Sequence, residues 1–233
     1  MSVKDSDHDL SACRLFFRRI SRTMQLPYYN TGFPIFSAAD CRCVYRYRIR
    51  QLAKLYFRYS AMNAGKSTAL LQVAHNYEEQ GQNVFLYTAA IDHRYGVGKV
   101  TSRLGPQRDA ATFDGQFDFF AQAPDVSCIL VDEAQFLTAD QVRQLHKLAH
   151  VRGIPVICYG LRSDFLGEPF SGSTYLMALS DTIEELKNIC TCGKKATMNI
   201  RVSEQGQRIT EGAQIDIGGN ERYQHVCGRC FYK

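Results

Sequence analysis

What the chain lacks narrows its class first. No apolar run approaches the roughly 18 residues that cross a bilayer as a helix, so a membrane span is not expected. Nor is there a secretory core with a cleavage site, because "LSACRLFFRRI" is short and rich in arginine. Export is therefore not expected, and without it a disulfide framework for the nine cysteines would be out of place. The expected compartment is the cytoplasm. Most of the chain also lacks any charge surplus. The net charge of +5 comes from 28 Lys+Arg and 23 Asp+Glu, but residues 1–51 alone hold nine of the bases and four of the acids. From Leu52 onward there are 19 of each sign, a neutral body that argues against a broad surface for tracking nucleic acid.

The first 51 residues have no sustained apolar period and are broken by Pro27 and Pro34. They read as an extension that is dispensable for the fold. A basic arm for nucleic acid is the alternative. An organellar presequence fits less well, because Asp5, Asp7 and Asp9 are acidic where such peptides avoid acid.

One glycine is missing where it matters. The stretch "YSAMNAGKST" follows the phosphate-loop pattern G-x-x-x-x-G-K-[ST], except that Ser60 replaces the first glycine. Leu55, Phe57 and Tyr59 before it read as a strand. Leu70, Leu71, Val73, Ala74 and Tyr77 after it recur at helical spacing. Strand, small-residue turn and helix are the context in which backbone N–H groups of residues 61–67 wrap a triphosphate at a helix N-terminus. Gly65 permits close approach, Lys66 neutralises the outer phosphates and Ser67 offers a hydroxyl to Mg²⁺. Serine at position 60 is acceptable if the first turn needs no positive φ. The bland alternative is a turn ahead of an amphipathic helix.

A second half of such a site stands about 65 residues on. "VSCILVDEAQF" is a continuous apolar run ending in two carboxylates, the signature of a strand covered on both faces in a parallel sheet. Acids at the C-terminal end of such a strand lie where ligands bind. Asp132 suits Mg²⁺ and Glu133 suits a general base. The alternative is a pair of carboxylates capping the next segment. A strand over Asn83 to Thr88 is followed by a polar loop from which Asp92 could support the metal and Arg94 could reach a transferring phosphoryl group; the alternative for this D-x-R triplet is a solvated loop. A helix roughly from Thr138 to His150 precedes a buried strand, Ile154 to Gly160. This alternation predicts an α/β fold, a parallel sheet with helices on its faces.

Cys128 and Cys158 fall in the buried strands as small hydrophobes. The last four cysteines form two close pairs, Cys190 with Cys192 and Cys227 with Cys230. Four thiolates without an export signal suit one structural tetrahedral Zn²⁺, with His225 as a less well-spaced substitute ligand. The loop between the pairs is expected to hold a flat ligand through Gly218 and Gly219, with Tyr223 packing on it. A plain hairpin at Gly-Gly-Asn is the alternative.

Taken in order, "SAMNAGKST", "DHRYGVGKVTSR", "LVDEAQFL", "CYGLRSDF", the two cysteine pairs and "IGGNERY" resemble the type II thymidine kinases, a zinc-containing family of bacteria and animal cytosol. The resemblance covers Leu52 to Lys233, and bacterial members also carry "AMNAGKST". It implies a RecA-like phosphate-loop domain over 52–186 and a small zinc-binding lasso domain over 187–233. ATP and Mg²⁺ would be held by Ser60, Ala61, Met62, Asn63, Ala64, Gly65, Lys66, Ser67 and Thr68 with Asp92, Asp132 and Gln135. Glu133 would be the base, helped by Arg94 and Lys66. Met62, Phe136, Leu161, Phe165, Ile217, Gly218 and Tyr223 would hold thymidine. The family implies a homotetramer inhibited by thymidine triphosphate, with no nucleic-acid or membrane partner. Many bacterial members end in Cys-x-x-His where this chain has Cys227 and Cys230, a chemically equivalent set.

Overall fold

The computed structural model describes residues 53–94, 96–215 and 222–233, and Leu52–Lys233 form one compact unit. Its frame is a six-stranded sheet in the order β5-β2-β6-β7-β1-β8. The strands are β1 (Leu55–Ser60), β2 (Val84–Ala89), β5 (Ala111–Phe113), β6 (Cys128–Val131), β7 (Val156–Leu161) and β8 (Thr182–Glu185). Every pairing between them is parallel.

Two cores lie on the two faces, and the strands supply them alternately, as a period of two requires. Ile129 and Val131 of β6 join Leu55, Phe57, Val156 and Cys158 beneath helices α3 (Ala139–Lys147) and α4 (Ser171–Leu179). Cys128 and Leu130 face the other way, to Leu70, Leu71 and Ala74 of helix α1 (Lys66–Glu79). Burial on both faces explains why "CILV" is apolar throughout. Both strand cysteines are buried among hydrocarbon, which pushes the Cys128 thiol up to about 12 and Cys158 higher still.

Helix α3 starts at Thr138, whose hydroxyl accepts from the Gln141 N–H while the Gln141 side chain caps the Thr138 N–H. This reciprocal cap fixes the N-terminus. The helix was expected to reach His150; instead it changes after Lys147 into a π-helical turn, Leu148–Arg152. The segment after β2, read from sequence as a polar loop, contains an antiparallel hairpin of β3 (Lys99–Thr101) and β4 (Gln107–Asp109), followed by β5. Helix α2 (Phe119–Gln122) precedes β6. Beyond β8 the chain builds a separate antiparallel sheet, β10-β9-β11, from β9 (Met198–Val202), β10 (Arg208–Ile209) and β11 (Tyr223–Val226), closed by helix α5 (Gly228–Phe231).

Candidate active site

The C-terminal ends of β1, β2, β6 and β7 open on a cavity of about 520 Å³, a size suited to a small ligand. Met62 through Thr68 form one wall, with Asp92, Arg94, Glu133, Gln135, Phe136, Leu161, Phe165 and Tyr223 around them. Ser60, Ala61 and Asp132 lie buried just beneath. Ile217 and Gly218 lie outside the described residues.

Local backbone geometry explains the missing glycine. Ser60 is not among the residues with positive φ; the left-handed turns fall at Asn63 (φ 64°) and Gly65 (φ 81°). Asparagine tolerates that region better than most side chains, so neither left-handed turn of the loop falls on Ser60. The serine has a use of its own. Its hydroxyl and the Ala61 carbonyl both accept from Lys66 Nζ at 3.3 Å. Burial holds the Lys66 ammonium below its ordinary pKa, partly offset by Glu133 and Asp132. No carboxylate occupies the first turn of α1, which leaves its dipole open to an anion.

Two asparagines from the C-terminal sheet side grip the same loop. Asn199 Oδ1 accepts from the Met62 N–H at 2.8 Å, and Asn188 Nδ2 donates to the Met62 carbonyl at 2.9 Å. Asn199 is buried on β9. Met62 is thus fixed through both its backbone polar groups by residues more than a hundred positions away.

At the end of β6, Ser67 Oγ donates to Asp132 Oδ2 at 2.9 Å. Burial, reinforced by neighbouring Glu133, pushes Asp132 up to about 7. A hydroxyl beside a buried carboxylate is the oxygen donor set a hard cation takes, and such a cation would favour the ionised carboxylate that burial disfavours. The residues present therefore fit Mg²⁺. Glu133 adopts φ 52°, rare for a residue with a β-carbon and a strain of order 1–3 kcal/mol. Arg94 Nη2 donates to Glu133 Oε1 and Gln135 Nε2 donates to Oε2, each at 2.5 Å. Arg94 is itself clasped by Asp92 through two 2.7 Å bonds, which raise its pKa, with burial opposing. Burial pushes Asp92 up, but the Arg94 hydrogen bonds outweigh it and leave the carboxyl below its usual range. Gln135 also accepts from the Leu161 N–H at 3.0 Å. A Cβ at Gly160 would sit 2.9 Å from that same Gln135 oxygen, so β7 needs glycine there.

Besides Asn188 and Asn199, sequence reasoning missed three contributors. Arg103, on the β3–β4 turn, lines the cavity, adds positive potential at Lys66 and has no carboxylate partner among the described residues. Ser102 links its turn to the phosphate loop through Thr68, Oγ to Oγ1 at 2.7 Å. Arg201, buried on β9, lies 3.9 Å from the Phe165 ring centroid and donates to the Tyr223 hydroxyl and the Ala213 carbonyl. Asn199 and Arg201 share one face of β9. Polar residues at i and i+2 of a strand were the available signal.

The sulfurs of Cys190, Cys192, Cys227 and Cys230 converge within 4.8 Å of one another, with Cys192 at 3.5 Å from both Cys190 and Cys227. His225 is not in that group. Backbone N–H groups of Cys192 and Cys227 lower Cys190 to about 6, while the neighbouring sulfurs of Cys192 and Cys227 push Cys230 up to about 12. Four crowded sulfurs cannot all be thiolates unless a cation sits among them. The set fits tetrahedral Zn²⁺.

Compared with known proteins, residues 53–231 match the family "Thymidine kinase". The chain is 60% identical over 182 residues to a thymidine kinase of Chromobacterium violaceum, covering 78% of this chain and 99% of that protein. It is 56% identical over 183 residues to one of Albidiferax ferrireducens, covering 78% and 93%. With one of Pasteurella multocida the identity is 54% over 188 residues, covering 78% and 97%.

Proposed function

Because this chain belongs to the thymidine kinase family, we propose a division of labour for the reaction it catalyses, transfer of the γ-phosphoryl group of ATP to the 5′-hydroxyl of thymidine in nucleotide salvage. Residues 61–67 and the N-terminus of α1 bind the phosphates. Lys66 exchanges its two long bonds to Ser60 and Ala61 for the outer phosphates. Mg²⁺, held by Ser67 and Asp132, supplies charge neutralisation when bound. Glu133 takes the 5′-hydroxyl proton as the new O–P bond forms, and the bond from the γ-phosphorus to the bridging oxygen breaks to release ADP. Arg94, anchored by Asp92, turns from Glu133 toward the transferring phosphoryl group without losing its anchor. That motion frees a Glu133 oxygen for the proton. Arg103 adds a cation to the triphosphate side. Phosphoryl transfer asks mainly for such positioning and charge.

The observation that supports this most is Glu133 itself, held in a strained conformation between Arg94 and Gln135 and directly after Asp132. Met62, Phe136, Leu161, Phe165 and Tyr223 hold the thymine, with backbone groups near Ile217 and Gly218 reading its edge. Zn²⁺ on the four cysteines is structural and maintains that lasso. Leu52 to residue 186 act as the kinase domain, 187–233 as the zinc domain, and residues 1–51 as a dispensable extension. Thymidine triphosphate inhibits by filling both ends of the cavity, the assembly is a homotetramer on family grounds, and the site of action is the cytoplasm. No helix among the described residues is long and apolar enough to cross a membrane.

The test is purified protein with ATP and a panel of nucleosides. Thymidine and deoxyuridine should be phosphorylated. Deoxycytidine reverses the donor pattern and should be poor by about 10⁴-fold, the discrimination expected when buried polar groups are left unpaired. ATP hydrolysis stimulated by single-stranded DNA or RNA without nucleoside phosphorylation would reject the assignment.

A further inference from the structure

Apart from the four cysteines, a second set of metal-ligating side chains comes together where the proposed mechanism uses none. His146 lies in the last turn of α3 and His150 in the π-helical turn that continues it. Four positions apart, they project from one helical face, and their ring centroids are 4.4 Å apart. Asp181, just ahead of β8, faces them; its Oδ2 lies 3.0 Å from His150 Nε2. One ligand atom from each of the three lies within 4.8 Å of the others.

Three further observations favour a cation there. Asp181 is held in place from behind, because its Oδ2 accepts from the Leu55 N–H at 2.8 Å and its own N–H donates to the Leu55 carbonyl at 2.9 Å. Its Oδ1 has no partner among the described residues, and neither does a ring nitrogen of His146. The basic neighbours are turned elsewhere: Lys147 Nζ sits 4.3 Å over the Phe120 ring, and Arg152 donates to the carbonyls of Phe120 and Ala123. Arg143, one turn earlier on α3, likewise stacks on the Tyr175 ring, and the site lies at a helix end whose dipole favours positive charge.

We propose that His146, His150 and Asp181 form a binding site for a borderline divalent transition metal ion such as Zn²⁺ or Ni²⁺, distinct from the four-cysteine site. Two imidazoles four apart on a helix plus one carboxylate is a donor set these ions accept, with water completing the shell. Side chains of Asp181 and His150 are about a quarter and two-fifths exposed, so ions reach the site without opening the fold. Because Asp181 also holds the first amide of β1, a bound ion ties the end of α3 to the strand that carries the phosphate loop. A ligand that binds only the folded state raises its stability.

The test uses the full chain loaded with zinc and dialysed until only tightly held metal remains. Titration with Ni²⁺ should show one further equivalent and a rise in melting temperature. His146→Gln and His150→Gln should each weaken that equivalent by at least the roughly 10–100-fold that losing even an outer partner costs a metal site. Both should keep the first zinc and the nucleoside kinase rate. Asp181→Asn is less clean, because it also alters the bond to Leu55. Absence of the further equivalent in the parent chain, or its survival undiminished in both histidine variants, overturns the proposal.

Discussion

The six-stranded sheet and the three-stranded C-terminal sheet are held together by different means. The parallel sheet buries a large apolar set on each face, including Phe57, Phe113, Phe119, Ile129, Leu130 and Tyr159. Its site is a by-product of topology: strand ends deliver Ser60, Asp92, Asp132 and Leu161 to one rim. The C-terminal sheet has only a small apolar cluster of Cys190, Ala196, Val226, Cys227 and Phe231, two members of which are the cysteines themselves. Too little hydrocarbon is buried there to order the chain unaided, and below a certain core size metals usually take over. The parallel-sheet half is therefore expected to be robust and the four-cysteine half conditional on bound metal.

The largest effect should come from separating chemistry from binding within the robust half. Glu133→Gln preserves shape and the Gln135 neighbourhood but cannot accept the proton. Turnover should fall roughly 10²–10⁴-fold, the usual contribution of a general base, while calorimetry finds ATP and thymidine still bound. Near-normal turnover would move the base elsewhere.

Removing the metal should next break the conditional half alone. Elemental analysis should find about one zinc per chain on the four-cysteine site, tight enough to survive dialysis. Cys227→Ser should lose it, because the binding free energy of such a site is folding free energy, of order 10 kcal/mol. Thymidine affinity should collapse while the helical circular dichroism of the parallel-sheet half persists. Full zinc content in the variant would sink the four-cysteine assignment, and loss of all structure would refute the independence of the two halves.

A smaller effect should reveal how the halves communicate. Asn199→Ala leaves the Met62 N–H unpaired beneath the phosphate loop, a cost of about 1–3 kcal/mol. The KM for ATP should rise about tenfold with kcat little changed. Asn188→Ala removes a donor from a carbonyl and should do less. A change confined to thymidine KM would instead make Asn199 merely a wall of the base pocket.

What could be read from sequence follows the same division. Strands covered on both faces announce themselves as apolar runs, and the loop, the paired acids and the cysteine pairs are local patterns, so the parallel sheet and the gathering of these residues were legible. The hairpin at Lys99–Asp109 was not, because three-residue strands with exposed Lys99 carry no usable period. The Met62 grip was invisible for another reason. It joins residues 126 and 137 positions apart through side-chain amides that are commonplace on any surface. Arg201 left only a weak trace, the polar i, i+2 pair it makes with Asn199, which gains meaning once β9 is known to bring Asn199 to the cavity. The Gly-Gly tip, Gly218 and Gly219, falls outside the described residues, so the expected contact with the base rests on the family.

The smallest effect expected is none, from removing the segment that belongs to neither half. Residues 1–51 carry the whole positive surplus of the chain, and the family match begins at residue 53. The Chromobacterium violaceum relative is spanned to 99% of its length by 78% of this chain, so the shared activity is written in the remainder. A protein beginning at Leu52 should keep its melting temperature and both KM values within error. Because the excised charge is basic, its loss should weaken any adventitious adsorption to polyanions, read as earlier elution from heparin at low salt. A drop in kcat or a lower melting temperature would show instead that the extension packs on one of the two halves. Repeating the truncation in Asn199→Ala and in Cys227→Ser would then identify which half it supports, since only the weakened partner would lose further stability.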